Sequence, residues 1–236
     1  MAEGIGNVKQ TQSQRVSIPV GAKERVSAVL SVTRDCQTVP VTGIIFAHGA
    51  GNNMDHPFLV ALSQRLAQAG YLTLRFNFPF MEKGQKAPDS QNTLILTWQS
   101  VYRFLKEDSG YGTTQVVAAG KSMGGRVASQ MVAEGLLPVH RLIFLGYPLH
   151  APGKEDKLRD EHLYRITVPM LFFAGTRDPL CNLTKLHPVL KRLSAPWELE
   201  IIEGGDHSFS LPKSAGTPQE AVHCRITEKI TQWLSS

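Results

Sequence analysis

The chain has 236 residues, of which 42% are hydrophobic and 19% charged, and a formal net charge of +5. That length can bury one large core, and the composition excludes collagen-like, disordered and disulfide-stapled classes. Lysine and arginine are scattered instead of forming a stripe, which argues against a nucleic-acid partner, and no apolar run approaches the ~20 residues of a membrane helix.

The opening "MAEGIGNVKQTQSQ" lacks the apolar core of a secretory signal, so a cytoplasmic protein is expected. Cys36, Cys181 and Cys224 lie far apart and in no Cys-x-x-Cys pair, which suggests neither a disulfide framework nor a zinc site; no metal or cofactor is expected. No linker or repeat divides the chain. It reads as a polar, poorly ordered start over residues 1–13 and a single domain over 14–236.

"RVSIPV" and "RVSAVLSVTR", from Arg15 onward, alternate apolar and polar residues and predict two strands able to pair as an antiparallel hairpin. The pattern then changes to short continuous apolar runs: "GIIFAHG", "YLTLRFN", "QVVAAG", "HRLIFLGYP", "VPMLFFAG" and "WELEIIEG". Strands of this kind are buried on both faces and belong to a parallel sheet covered by helices on each side. Helical segments fall between them: "HPFLVALSQRLAQAG", "TLILTWQSVYRFLKED", "MGGRVASQMVAEG", "LTKLHPVLKRLSA" and "PQEAVHCRITEKITQWLSS". The fold class is therefore α/β, a doubly wound and mostly parallel sheet in one domain. The mixed-charge stretch "GKEDKLRDEHLYR" reads as a solvated loop or helix face.

In such a sheet ligands gather at the carboxyl ends of the strands. There "VVAAGKSMGG" places Ser122 between Gly120 and Gly124, a Gly-x-Ser-x-Gly turn joining a strand to a helix. The glycines remove side chains that would collide with neighbouring backbone, and the strained serine is held outward at a helix N-terminus. A serine nucleophile needs a base. His207, in the glycine-rich loop "IIEGGDHSFS" after the last strand, is the best placed. His223 and His187 fall within helices, and His140 lies at the far end of a strand. The orienting acid is expected from "MLFFAGTRDPL", which supplies Asp178; Asp206 and Glu203 are weaker substitutes. The order Ser122, Asp178, His207, each on its own strand-end loop, favours a catalytic triad over an ordinary Asp-Pro turn.

The Met123 main-chain N–H is one expected oxyanion donor, and "FAHGAGNN" offers Ala50 or Gly51 as the second. His48, Arg75, Asn77 and Tyr147 are candidate substrate-binding residues, Arg75 and Asn77 because "LRFNFP" ends another strand; Phe78, Phe80 and Met81 are candidate pocket walls. Lys121 is expected to pair with a nearby acid. About twenty residues, Leu149 to Val168, separate the fourth and fifth of the continuous apolar strands, too few for a large lid.

Taken in order, "HGAG", "GKSMGG", "GTRDPL" and "GGDHSF" resemble the α/β-hydrolase superfamily, most nearly its small dienelactone-hydrolase-like members, over about residues 15 to 235. The stretch "LRFNFPF" is similar to a branch containing a testis-expressed protein and a subunit of a histone acetyltransferase complex. The resemblance implies the fold and the triad positions and names no substrate. Dienelactone hydrolases proper use a cysteine where this chain has Ser122. The expected activity is a serine hydrolase acting on a small ester or thioester; a non-catalytic interaction module and an acyltransferase are the alternatives.

Overall fold

The computed structural model describes residues 10–34 and 41–236, so Cys36 and the first nine residues of the polar start lie outside it. Strands β1 (Thr11–Val20) and β2 (Glu24–Thr33) form the expected antiparallel hairpin, turning at Gly21, whose φ of 59° is open to glycine at no steric cost. β1 begins at Thr11, four residues before the apolar alternation starts. Ladder pairing of Gln12 with Val32 and Ser13 with Ser31 extends the strand, with the two serine hydroxyls 2.7 Å apart.

The remaining strands are β3 (Val41–Ala47), β4 (Leu72–Phe76), β5 (Thr113–Lys121), β6 (Arg141–Leu145), β7 (Met170–Gly175) and β8 (Trp197–Ile202). They make one sheet in the order β1-β2-β4-β3-β5-β6-β7-β8. All pairings from β4 to β8 are parallel, and β2 joins β4 antiparallel. The helices are α1 (Pro57–Gln68), α2 (Pro79–Glu82), α3 (Gln91–Arg103), α4 (Met123–Ala133), α5 (Leu183–Lys191) and α6 (Gln219–Ser235).

The continuous apolar strands are explained by two cores. Ile45 and Ala47 point to one face, where Trp98 of α3, Val127 of α4 and Leu190 of α5 pack. Ile44 and Phe46 point to the other, against Leu59 and Leu62 of α1 and Ile226 and Ile230 of α6. Each fully buried aliphatic or aromatic side chain contributes roughly 1.5–3 kcal/mol. Every position of β4 and β7 is buried, whereas the edge strand β8 turns Glu198 to solvent.

Three local features depart from the sequence pattern. The third helix gives way to a wider π-type turn over Phe104–Asp108. The residues after β4 form the short α2, with Pro79 at its first position, where its fixed φ suits a helix start. The mixed-charge stretch closes in a 3₁₀ turn, Glu161–Arg165, that buries His162 and Leu163 instead of leaving a solvated face. The chain winds outward from β3 in both directions, so the strand order reverses between β3 and β5, and their carboxyl ends flank the crevice where a ligand is expected.

Candidate active site

Ser122 stands between the end of β5 and the start of α4 with φ 50° and ψ −116°, a conformation that costs an L-residue on the order of 1–3 kcal/mol. Two close approaches hold it there. A Cβ at Gly120 would lie 2.1 Å from the main-chain nitrogen of Gly125, and one at Gly124 would lie 2.7 Å from both the Ala47 side chain and the His48 carbonyl. The Ser122 N–H also donates to the Leu145 carbonyl at 3.2 Å, fastening the turn to β6.

The Ser122 hydroxyl is 2.8 Å from Nε2 of His207, and Nδ1 of His207 is 2.8 Å from Oδ2 of Asp178. The Asp178 side chain is fully buried, and its other oxygen accepts the Leu180 N–H at 2.8 Å. A buried carboxylate facing Nδ1 makes that nitrogen the protonated one and leaves Nε2 to accept from the serine hydroxyl. Asp206 does different work: its Oδ1 accepts from the Ser208 and Ser210 N–H groups at 2.7 and 2.9 Å and so bends the loop that carries His207. Glu203 reaches Thr176 instead. Beyond the bend, Phe209 sits at φ 61° and packs against Phe58, anchoring the loop in the core.

Lys121, next to the serine, donates from Nζ to the His207 carbonyl at 2.6 Å. It is nearly fully buried, and burial lowers its pKa to about 8 against the opposing pull of Asp178 and Asp206. The expected partner acid is thus replaced by the main chain of the histidine, with the two aspartates acting at longer range. The other histidines lie elsewhere. His140 accepts from the Val116 N–H, and His223 packs on Phe58.

A cavity of about 440 Å³ opens beside Ser122, with Ala50, Met123, Arg126, Arg159 and Leu180 among its walls. Ala50 lines it and Gly51 does not. Met123, at the first position of α4, has no side-chain cap competing for the free N–H groups of the helix start.

None of the four residues singled out as substrate-binding lines this cavity, and each has a physical reason to be elsewhere. His48 is fully buried; its Nδ1 donates to the Gly49 carbonyl at 2.8 Å, and its Nε2 accepts the Phe78 N–H at 3.0 Å. Burial lowers its pKa to about 4, so it is a neutral clasp between two loops. Arg75 is buried on β4 and turned toward Asp55, 3.6 Å away. Asn77 accepts the Met54 N–H at 2.8 Å and donates to Glu82 at 3.0 Å. Tyr147 packs between Phe144 and Phe172 and donates to the Arg159 carbonyl at 2.6 Å. Phe78 and Phe80 are likewise core residues that pack against His48. Arg126 and Arg159 line the cavity without having been expected there. For Arg126 a signal existed: it follows Ser122 by four residues and so shares its face of a helix. For Arg159 there was none, because the surrounding charge run resembles any solvated loop.

Among the described residues, no group of three or more His, Cys, Asp or Glu side chains is placed to hold a metal ion, and no helix is long and apolar enough to cross a membrane.

The carboxyl edge of this sheet thus carries a serine and a histidine in the arrangement that defines an α/β-fold serine hydrolase. The chain belongs to the alpha/beta hydrolase family: residues 40–235 match the alpha/beta hydrolase domain. It is an enzyme of that family with a dienelactone-hydrolase-like architecture. Solved structures of similar fold include a dienelactone hydrolase from Anabaena variabilis, 20% identical, covering 96% of this chain and 98% of that one with a TM-score of 0.74. Est1E from Butyrivibrio proteoclasticus, bound to ferulic acid, is 16% identical and covers 94% of this chain and 100% of its own, with a TM-score of 0.74. An alpha-beta serine hydrolase homologue from Coxiella burnetii is 20% identical, covers 94% and 97%, and has a TM-score of 0.70. At these identities the likeness is one of fold.

Proposed function

We propose that the protein hydrolyses small carboxylic esters or thioesters through an acyl-enzyme on Ser122, with His207 as base and Asp178 as its orienting acid. The observation that carries this reading is the unbroken hydrogen-bond chain from the Ser122 hydroxyl through His207 to a fully buried Asp178, at 2.8 Å for each link. In the first half-reaction the serine oxygen bonds to the acyl carbon while its proton passes to Nε2 of His207. The bond to the leaving group then breaks, and the same proton goes to the departing oxygen or sulfur. Water, deprotonated by His207, reverses the sequence and releases the acid. Asp178 holds the imidazole tautomer and stabilises the imidazolium.

The developing oxyanion is bound by the main-chain N–H of Met123, together with that of Ala50 as the loop donor. Ala50 is preferred to Gly51 because it walls the cavity beside the serine. The cavity size suits a small acyl group, toward the lower end of the range for small-molecule sites. The free thiols of Cys181 and Cys224 fit a reducing, cytoplasmic setting, which forms part of this proposal.

The test is rapid mixing with p-nitrophenyl esters of graded chain length. A burst of p-nitrophenol, one per Ser122, followed by slower turnover supports the acyl-enzyme and measures the acyl pocket. Turnover that persists undiminished in the Ser122→Ala protein contradicts it.

A further inference from the structure

We infer that Arg126 and Arg159 form an anion-recognition subsite beside Ser122, and that the preferred substrate carries a carboxylate or phosphate-type oxyanion on a short acyl chain. The inference rests on the serine-hydrolase reading above and names its substrate class. Both arginines line the cavity that Ser122 also lines. Arg126 is one helical turn beyond the serine on α4, its N–H donating to the Ser122 carbonyl at 3.1 Å. Arg159 comes from the loop between β6 and β7.

Neither guanidinium has a carboxylate within ion-pair distance among the described residues. The acids nearest in sequence or in the cavity wall are committed to other groups. Asp89, on the wall, accepts the Phe80 N–H at 2.8 Å, and Asp160 accepts from Tyr164. Two like charges facing one small cavity repel one another, and burial together with Arg159 weakens the hold of Arg126 on its proton. An anion between them removes that repulsion and forms charge-assisted hydrogen bonds.

The arginines are also positioned from beneath. Arg159 donates its N–H to the Leu149 carbonyl at 2.8 Å, and its carbonyl accepts from Tyr147 at 2.6 Å. The Arg126 carbonyl accepts from Ser129 at 2.8 Å. With both hydroxyl protons so placed, Nε2 of His162 is the donor to Ser129 at 2.8 Å and toward Tyr147 at 3.2 Å. The His162 pKa is lowered to about 4, mainly by burial and then by Arg126 and Arg165, so it adds no third positive charge. A buried Ser129–His162–Tyr147 network therefore ties the two arginine backbones to one another. The cavity, about 440 Å³, is large enough for a short chain ending in one anionic group.

The experiment compares kcat/KM for p-nitrophenyl butyrate with that for the p-nitrophenyl half-ester of glutarate and its phosphonate counterpart. The wild-type protein should prefer at least one anionic ester by roughly 10- to 100-fold, and that ratio should fall toward one in Arg126→Gln and in Arg159→Gln. Which anionic ester is preferred separates carboxylate from phosphate recognition. A second arm needs no turnover: monomethyl glutarate is titrated calorimetrically into Ser122→Ala protein, with and without Arg126→Gln. Binding weakened about tenfold or more by the arginine change, and weaker still for neutral methyl butyrate, supports the subsite. Equal handling of neutral and anionic esters by the wild type, or equal binding in the second arm, overturns it while leaving Ser122 chemistry standing. Loss of turnover and of the burst with retained anion binding overturns the hydrolase reading instead.

Discussion

His48 makes the stability of this fold sensitive to acid in a way that a single substitution isolates. Its Nε2 accepts from Phe78, so a proton arriving there meets another N–H and breaks the clasp that joins the glycine turn at Gly49 to the loop after β4. The folded pKa is about 4 against an ordinary 6.5, so the unfolded chain binds the proton first. Stability is then intact above about pH 6.5, falls as the pH drops through the window between the two values, and has lost the whole contribution below about pH 4. Between pH 7.5 and 5 the loss from this one group is about 2 kcal/mol, approaching ~3 kcal/mol at lower pH. Urea denaturation at the two pH values should show it as a midpoint drop of roughly 0.7–1 M from this residue alone. His48→Gln offers a donor and an acceptor that do not titrate; it is less stable than wild type at neutral pH but should lose about 2 kcal/mol less on acidification. Equal pH dependence in the two proteins would refute the assignment of a neutral, buried clasp.

Other consequences follow from the same geometry. Gly120→Ala places a Cβ 2.1 Å from the Gly125 nitrogen, where only backbone can yield, so the thermal midpoint should fall by several degrees or soluble protein be lost, whereas Gly135→Ala, with open space around it, should cost only the strain of its φ of 71°. Asp178→Asn should lower kcat on a p-nitrophenyl ester by on the order of 10³–10⁴ while preserving the fold, as read by circular dichroism, because the imidazole loses its enforced tautomer. Lys121 loses its charge near pH 8, so kcat/KM should show an inflection there that is absent in Lys121→Met; the same inflection in both proteins would free Lys121 of that role.

The sheet was legible because strands buried on both faces cannot hide their composition: Ile44, Ile45 and Phe46 serve two cores and must all be apolar. The residues of the candidate triad were legible for a related reason, since Gly120 and Gly124 are required by backbone contacts of under 3 Å and so mark the turn at Ser122. What lines the cavity beside Ser122 was not legible. Arg75, Asn77 and Tyr147 sit at strand ends as expected, but position along the chain does not reveal that hydrogen bonds to Asn77 and Tyr147, and Asp55 beside Arg75, turn these side chains toward neighbouring loops. Arg159 was hidden within a charge run, and the burial of His162 in that run depends on a packing partner, Ser129, that lies 33 residues away.

The most direct test of the account is reaction with a fluorophosphonate probe followed by peptide mapping. A nucleophilic Ser122 activated by His207 predicts one modified residue, Ser122, with labelling abolished in Ser122→Ala and slowed by orders of magnitude in His207→Ala. Absence of labelling in a folded wild-type protein, or labelling that survives in Ser122→Ala, would contradict it.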